Sequence, residues 1–267
     1  MPKLLKPAPR TPSSRVLSAY EKNQLRRYGF DPESTDQYGE RPAEYITGKT
    51  TFLGQELMVS PAILIPRPET EELVELVQQD FLNKADWPSS KTLQIGDIGT
   101  GSGAIGLSLL RFFEEQQQPA VVTLVDVSAE ALNVARENFN QLFNDRSLFG
   151  SVEFIQSDLL AGLPKGQRFD YLVANLPYIP SGRITQLASS VKDFEPLAAL
   201  DGGEDGLRLI AQLLDQSKTR LTSSGKIYLE LNDTHTQEKI QAIAMGYQAK
   251  VFLDQFGKNR FAVLEIT

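Results

Sequence analysis

The chain has 267 residues, of which 41% are hydrophobic and 23% are charged, and its formal net charge is −7. This composition is typical of a folded globular protein and argues against a disordered chain. The absence of cysteine and the presence of one histidine, His235, exclude disulfides, a cysteine nucleophile and multi-histidine metal sites.

The charge is unevenly distributed along the chain. Seven basic residues against Glu21 alone give residues 1–30 a net charge of +6, which leaves −13 for the rest. Because phosphate contacts need Lys and Arg, the acidic body predicts no stable nucleic-acid binding. Residues 1–14 contain four prolines and predict a partly disordered tail.

The apolar runs are short. None approaches the roughly 18 residues that a membrane helix needs, and the first ten residues (MPKLLKPAPR) lack the apolar stretch of a secretory signal. We therefore expect a cytoplasmic protein without a membrane contact.

The first third of the chain predicts two helices and a hairpin. Residues 15–30 have apolar positions at helical spacing, and residues 44–60 contain β-rich runs that two glycines interrupt. After Pro68, residues 69–82 (ETEELVELVQQDFL) predict a helix with acids in its first turn and a buried apolar stripe. The buried stripe consists of Leu73, Val74, Leu76 and Val77.

From residue 92 onward, strands alternate with helices. Strands are predicted at 92–98, 121–127, 151–157, 169–179, 226–232, about 248–254 and 260–266, and helices at 104–116, 129–143, 205–222 and about 236–245. This order predicts an α/β fold with a doubly wound, mostly parallel sheet of seven strands, ending in an antiparallel C-terminal edge strand. The predicted divisions are a short helical region at 1–43, a β-hairpin linker at 44–66 and the main domain at 67–267.

The loop after the first strand of this sheet is rich in glycine. It reads Asp97-Ile98-Gly99-Thr100-Gly101-Ser102-Gly103. Its glycines allow a ligand to approach the backbone closely and allow a tight turn into the next helix. The G-x-G-x-G spacing differs from the dinucleotide fingerprint, and no Walker lysine follows, which disfavours a nucleoside triphosphate. An ordinary strand-to-helix turn is the alternative interpretation.

The loops after the next two strands carry carboxylates. Asp126 can accept both ribose hydroxyls of an adenosine, or it can cap the following helix, for which Ser128 is the better candidate. Asp158 can accept from an adenine amino group while Leu159 packs on the ring, or it can be a turn aspartate. The three loops together predict an adenosine-containing cofactor that lies across adjacent strand ends.

The fourth loop is Asn175-Leu176-Pro177-Tyr178. An amide side chain supplies a carbonyl acceptor, Pro177 restricts the backbone and Tyr178 offers a flat face. These parts suit a planar NH₂ substrate, with one N–H donated to the Asn175 side chain and the other to the main-chain carbonyl of Leu176. An Asx turn beside an aromatic core residue is the alternative interpretation.

With these loops in place, the chain resembles a class I S-adenosylmethionine-dependent methyltransferase, and more narrowly the release factor glutamine methyltransferases of the HemK/PrmC family. The resemblance runs from about residue 41 to the C-terminus and lies on RPAEYITGKTTFLG, LIPRPETEELVE, DIGTGSGAIGLSL, NLPYIP and FEPLAALDGGEDGL. It implies a Rossmann-like fold, S-adenosyl-L-methionine as cofactor and S-adenosyl-L-homocysteine as product. The implied reaction methylates the side-chain amide nitrogen of the glutamine in the GGQ motif of a peptide chain release factor, which is the implied partner.

The resemblance also implies roles for individual residues. The loop Gly99 to Gly103 would wrap the methionine part of the cofactor, and the stretch Arg67 to Glu71 would close over its methionyl end. Asn175 would touch both cofactor and substrate. The cofactor-binding residues implied are Arg67, Thr70, Gly99, Thr100, Gly101, Ser102, Gly103, Asp126, Asp158, Leu159 and Asn175. The implied substrate-binding residues are Asn175, Leu176, Pro177 and Tyr178, of which Asn175, Pro177 and Tyr178 are the predicted catalytic residues.

The chain departs from the family pattern at three places: Leu176 stands where a second proline is usual, no glycine follows Glu230, and the segment ahead of RPAEYITG is short for the family's helical N-terminal domain. We expect a monomer and assign neither a metal nor a general base.

Two other functions are compatible with these motifs: an adenine-nitrogen methyltransferase acting on RNA or DNA, and a non-catalytic scaffold that binds the cofactor. His235 is expected at the surface or as a cap, and Trp87 is expected to cover the core.

Overall fold

Two sheets and a series of helices make up the computed structural model, which describes residues 15–84, 91–144 and 147–267. The predicted tail and Trp87 lie outside the described residues. The α-helices are α1 (Ala19–Arg27), α2 (Thr35–Tyr38), α3 (Ala43–Thr47), α4 (Pro68–Asn83), α5 (Ala104–Glu115), α6 (Ala129–Phe143), α7 (Ser189–Lys192), α8 (Arg208–Ser217) and α9 (Gln237–Ile243). The strands are β1 (Lys49–Phe52), β2 (Gln55–Met58), β3 (Leu93–Ile98), β4 (Ala120–Asp126), β5 (Ser151–Gln156), β6 (Phe169–Ala174), β7 (Leu221–Glu230), β8 (Tyr247–Leu253) and β9 (Asn259–Ile266). Short 3₁₀ helices occupy Ser181–Gln186 and Leu197–Ala199.

The main sheet has seven strands in the order β5-β4-β3-β6-β7-β9-β8. The first five are parallel, and β9 pairs antiparallel with both β7 and β8. This arrangement confirms the predicted fold class. The antiparallel C-terminal strand lies one position inside the edge, because α9 carries the chain past that position to β8 and a short loop returns β9 into it.

Tertiary pairing changes two of the predicted boundaries. Residues 43–47 form α3, so the hairpin predicted over 44–60 is confined to β1 and β2. The helix predicted over 205–222 ends at Ser217, and Leu221 already belongs to β7, where it pairs with Phe169 on β6. Local apolar spacing does not indicate the pairing of Leu221 with Phe169, and the predicted helix is therefore too long.

Both faces of the sheet are covered. Helices α4, α5 and α6 pack on one side, and α8 and α9 pack on the other. The central strand β6 is consequently buried at all six of its positions, which is typical of parallel sheets with two covered faces. Leu73, Val74 and Val77 of α4 are fully buried, whereas Leu76 is half-buried. None of the helices in the described ranges combines the length and apolar character needed to cross a bilayer.

The backbone at Gly150, just before β5, lies very close to the backbone at Ala120, the first residue of β4. A Cβ at this position would lie 2.1 Å from the backbone oxygen of Ala120, and the Gly150 N–H is held by a 2.9 Å bond to Glu114 Oε1. We expect Gly150→Ala to lower the free energy of unfolding by roughly 1–3 kcal/mol, because backbone atoms must move apart. Urea unfolding followed by circular dichroism measures this.

Gly182→Ala is the control for this substitution, because a Cβ there would meet no atom within 4 Å. Its unfolding free energy should stay within about 0.5 kcal/mol of the parent. Equal unfolding midpoints for Gly150→Ala and the parent would contradict the close approach of the two strands.

Candidate active site

A groove with a cavity volume of about 200 Å³ lies beyond the carboxyl ends of β3, β4, β5 and β6. All four loops singled out in the sequence contribute to its wall. The predicted site residues in that wall are Thr70, Gly99, Thr100, Gly101, Ser102, Asp126, Asp158, Leu159, Asn175, Leu176 and Pro177.

Asp97 supports the glycine-rich loop from behind. Its Oδ2 accepts hydrogen bonds from the Thr100 hydroxyl (2.6 Å) and from the Gly106 N–H in the first turn of α5 (2.9 Å). Since the N-cap residue of α5 is Gly103, which has no side chain, Asp97 supplies the missing cap from the neighbouring strand. Gly103 itself is not among the groove-lining residues; a Cβ there would lie 2.9 Å from Leu107 Cδ1.

The carboxyl group of Asp97 is completely buried, and its Oδ1 has no hydrogen-bond partner within the described residues. Burial raises its pKa to about 6, against the opposing hydrogen bonds from Thr100 and Gly106. The glycine loop is therefore built on a carboxylate that is costly to ionise.

Asp126 joins the glycine loop to the end of β4. Its Oδ2 accepts from the Gly101 N–H and its Oδ1 from the Ser128 N–H, both at 2.9 Å. Ser128, not Asp126, caps α6, with its hydroxyl accepting from the Ala131 N–H. An ionised carboxylate has about four acceptor positions, so Asp126 can accept two further hydroxyl groups. Burial raises the pKa of this carboxyl group.

The loop after β5 contributes Ser157, Asp158 and Leu159 to the wall. Asp158 is exposed, and its Oδ2 accepts a long 3.5 Å bond from Gln212. Leu159 is buried and has a φ of +49°, a left-handed conformation that is uncommon for leucine. This backbone turn places both residues in the groove wall.

Asn175 reaches the groove as the end member of a buried hydrogen-bond chain. Its Nδ2 donates to Thr70 Oγ1 (3.1 Å), and the Thr70 hydroxyl donates to Glu230 Oε2 (2.7 Å). The Tyr178 hydroxyl donates to Glu230 Oε1 (2.9 Å). Burial raises the pKa of Glu230, while these hydrogen bonds and the charge of Arg260 oppose that rise.

Comparison with known proteins places the chain in a family. Residues 89–243 match a family model described as a methyltransferase domain. A release factor glutamine methyltransferase of Leptospira interrogans is 35% identical over 252 residues, which cover 94% of this chain and 82% of that protein. The chain belongs to the release factor glutamine methyltransferase family. This confirms the resemblance seen in the sequence.

Other relatives agree with this assignment. A release factor glutamine methyltransferase of Koribacter versatilis is 40% identical over 190 residues, covering 71% of this chain and 62% of that protein, which is less than two thirds of its length.

A solved 16S rRNA N2 methyltransferase of T. thermophilus, in complex with AdoMet and guanosine, superposes with a TM-score of 0.52 at 17% identity. That match covers 82% of this chain and 50% of the other, and it shows a shared fold alone.

The groove of this family member fits S-adenosylmethionine, the methyl donor. Within the described residues, the lining contains the carboxylates Asp126 and Asp158 and no lysine or arginine. Acidic groups beside apolar side chains suit a ligand that carries positive charge, hydroxyls and a flat base, whereas phosphates need cationic partners. At Gly101 (φ +54°), a Cβ would meet no protein atom within 4 Å, so the loop leaves open space beside this wall.

Besides Gly103, two other predicted site residues, Arg67 and Tyr178, do not line this methyltransferase groove. Arg67 is the N-cap residue of α4 with extended backbone, and its Nη2 binds both carboxylate oxygens of buried Glu195, at 2.6 and 2.8 Å. Because Arg67 precedes the helix, the helical spacing that places Thr70 in the groove does not apply to it. Tyr178 lies behind the groove, bound to Glu230.

Part of the wall was not anticipated from the sequence. Ile63, Leu64 and Pro66 precede α4. Pro196 caps the second 3₁₀ helix, and Ala198 and Ala199 lie within it. The Arg67–Glu195 ion pair ties these two segments together. Residues 61–66 belong to the predicted hairpin linker, because local pattern does not contain a contact with a segment about 130 residues away.

His235 is not a surface residue. It is fully buried, its Nδ1 accepts from the Asn232 N–H (3.2 Å), and its Nε2 lies 3.1 Å from the Asp205 carbonyl oxygen. The adjoining Gly206 packs so closely that a Cβ would lie 2.2 Å from the Tyr178 carbonyl oxygen. His235 therefore holds the segment that packs against the loop Asn175 to Tyr178.

The raised pKa of Asp97 implies that the free energy of unfolding, measured without added cofactor, depends on pH. Because its pKa is about 6 in the folded chain and ordinarily 3.8, folding takes up a proton between these values. The free energy of unfolding therefore falls as the pH rises from about 4 through 6. Relative to Asp97→Asn, we expect the parent to lose about 2 kcal/mol between pH 4 and pH 7, measured by urea unfolding.

Asp215→Asn is the matched control, because this α8 carboxylate is exposed to solvent. Its stability difference from the parent should stay constant over the same pH range. A constant difference for Asp97→Asn as well would show that Asp97 ionises without a burial cost.

Proposed function

We propose that this chain transfers a methyl group from S-adenosylmethionine to the side-chain amide nitrogen of the glutamine in the GGQ motif of a peptide chain release factor. One observation carries the proposal. Asn175 lies in the groove with its amide nitrogen held by Thr70, and its carbonyl oxygen accepts no hydrogen bond from any described residue. Family membership supplies the methyl-transfer chemistry and the kind of substrate.

On the cofactor side, the chain supplies placement. When bound, S-adenosylmethionine provides an electrophilic methyl group and a thioether leaving group. Residues Gly99 to Ser102 would hold its methionine part, and Asp126 would accept from the ribose hydroxyls. Asp158 and Leu159 would border the adenine.

On the substrate side, the chain orients a weak nucleophile. The lone pair of a carboxamide nitrogen is delocalised into the carbonyl group, so it must be aimed at the methyl group. The Asn175 side-chain oxygen can accept one N–H and the Leu176 main-chain oxygen the other; neither has a partner among the described residues. Orientation of this kind supplies several of the roughly 7–11 kcal/mol that positioning can provide.

No strong base is required by this arrangement. Methyl transfer turns the nitrogen into a cationic acid, and its proton then leaves to solvent. Asp97 and Glu230, the buried carboxylates near the loops, already accept hydrogen bonds from Thr100 and from Thr70 and Tyr178. They are assigned to holding these loops.

The proposed partner is the release factor, and we propose that the chain acts on it as a monomer. A nucleic-acid substrate is the competing possibility. The groove lining contains no lysine or arginine within the described residues, so the wall offers no side chain for a phosphate.

The direct test uses S-adenosylmethionine with a labelled methyl group. Purified release factor, release factor with the GGQ glutamine replaced by alanine, and ribosomal RNA are incubated separately with the full chain. Label should appear in the first alone. Incorporation into the alanine-substituted protein or into RNA would overturn the proposal.

Asn175→Ala tests the substrate loop. Loss of the acceptor should lower kcat/KM for release factor about 100-fold or more, the effect of removing one oriented hydrogen bond in a transition state. Affinity for the cofactor should change little, since the glycine loop and Asp126 are untouched. Initial methylation rates and calorimetric titration with the cofactor measure the two effects.

Asn133→Ala is the control, because Asn133 is exposed on α6. It should retain the parent rate. Parent-like methylation by Asn175→Ala would remove Asn175 from the substrate site.

A further inference from the structure

We infer that Glu230 and Thr70 are positioning residues that decide which end of the Asn175 amide faces the groove, and that they thereby make the site select a carboxamide over a carboxylate. This inference rests on the proposed function and identifies what determines its substrate choice.

The contacts form one directed chain. Thr70 lies in the groove wall, and Glu230 and the Tyr178 hydroxyl, which are not in the wall, complete the chain behind it; Glu230 is 1% exposed and Thr70 is 3% exposed. Thr70 donates to one oxygen of Glu230, and Tyr178 donates to the other. Both carboxylate oxygens are thus engaged by donors from separate segments, which fixes the plane of the carboxylate.

The direction of the chain follows from donor capacity. An ionised carboxylate only accepts hydrogen bonds, and a hydroxyl group has a single proton to donate. Because Thr70 gives its proton to Glu230, its oxygen can only accept from Asn175. Asn175 must therefore turn its NH₂ group toward Thr70, and its carbonyl oxygen faces the other way. This order needs the ionised form of Glu230; burial raises the pKa of that carboxyl group, and the hydrogen bonds from Thr70 and Tyr178 and the charge of Arg260 oppose the rise.

This order determines what the groove accepts. A carbonyl oxygen facing the groove pairs with an N–H of glutamine and repels the oxygens of glutamate. If the amide turned around, its NH₂ group would face the groove, repel the glutamine N–H groups and bind a carboxylate. Substrate choice between two side chains of the same shape thus depends on a residue behind the groove.

Thr70→Val removes the hydroxyl and keeps the side-chain shape, so the Asn175 amide loses its constraint. Kinetics with release factor give kcat and KM, and a release factor with glutamate in place of the GGQ glutamine serves as a competitive inhibitor. We expect kcat to fall about 10- to 100-fold. The preference for glutamine, measured as the inhibition constant of the glutamate protein divided by the KM of the glutamine protein, should fall at least about tenfold.

Two further variants separate positioning from structure. Thr70→Ser restores the hydroxyl and should recover most of the rate and the preference. Thr185→Val, the same substitution at an exposed position, should match the parent. Should Thr70→Val not fold, as judged by circular dichroism, Glu230→Gln carries the same test: its amide can donate to Thr70 and reverse the chain, so the preference should again fall.

The possible failures are distinguishable. If the parent chain does not methylate release factor, the proposed function fails. If the parent is active and the folded Thr70→Val chain keeps the parent preference for glutamine, whatever its rate, the positioning role is wrong. A lowered preference that Thr70→Ser does not restore would also overturn it.

Discussion

The carboxylate of Glu230 connects the fold to the chemistry. It ends β7, yet it binds the start of α4 through Thr70 and the loop after β6 through Tyr178. A buried charge is costly unless hydrogen bonds satisfy it, at several kcal/mol for an ion taken out of water. These two hydroxyls satisfy it only when α4 and the loop are docked, so an incorrectly assembled site leaves an unsatisfied charge. Stability and the geometry of the substrate loop therefore depend on the same contacts.

On the cofactor side, two aspartates hold the glycine-rich loop. Asp97 lies behind the glycine loop and caps α5, whereas Asp126 lies in the groove wall and binds the same loop from the front. The loop is thus held between two carboxylates from adjacent strands. The acids also set the sign of the local potential, and with no cationic side chain in the described wall the groove favours a positively charged cofactor over a phosphate.

The predicted fold class is confirmed because local sequence pattern contains the information that it needs. Alternating strands and helices predict the sheet, and in a parallel sheet the loops after β3, β4, β5 and β6 must share one end. Tertiary contacts that local pattern does not contain place other residues: Arg67 binds Glu195, Tyr178 binds Glu230, and His235 is buried and not at the surface. The predicted divisions at residues 43 and 66, and the ligand roles of the individual groove residues, stay predictions.

The register of the parallel strands β6 and β7 places Glu230 beside Asn175. Ala174 and Leu229 are paired neighbours on β6 and β7, so the residues that follow them, Asn175 and Glu230, must lie side by side at the same sheet edge. The hydroxyl of Thr70, at the start of α4, bridges the Asn175 amide and the Glu230 carboxylate. The same fold is shared with the 16S rRNA methyltransferase of T. thermophilus at only 17% identity. Because such a fold accommodates different substrates, selectivity comes from the site and not from the fold, and we propose that the direction of one hydrogen-bond chain sets it here.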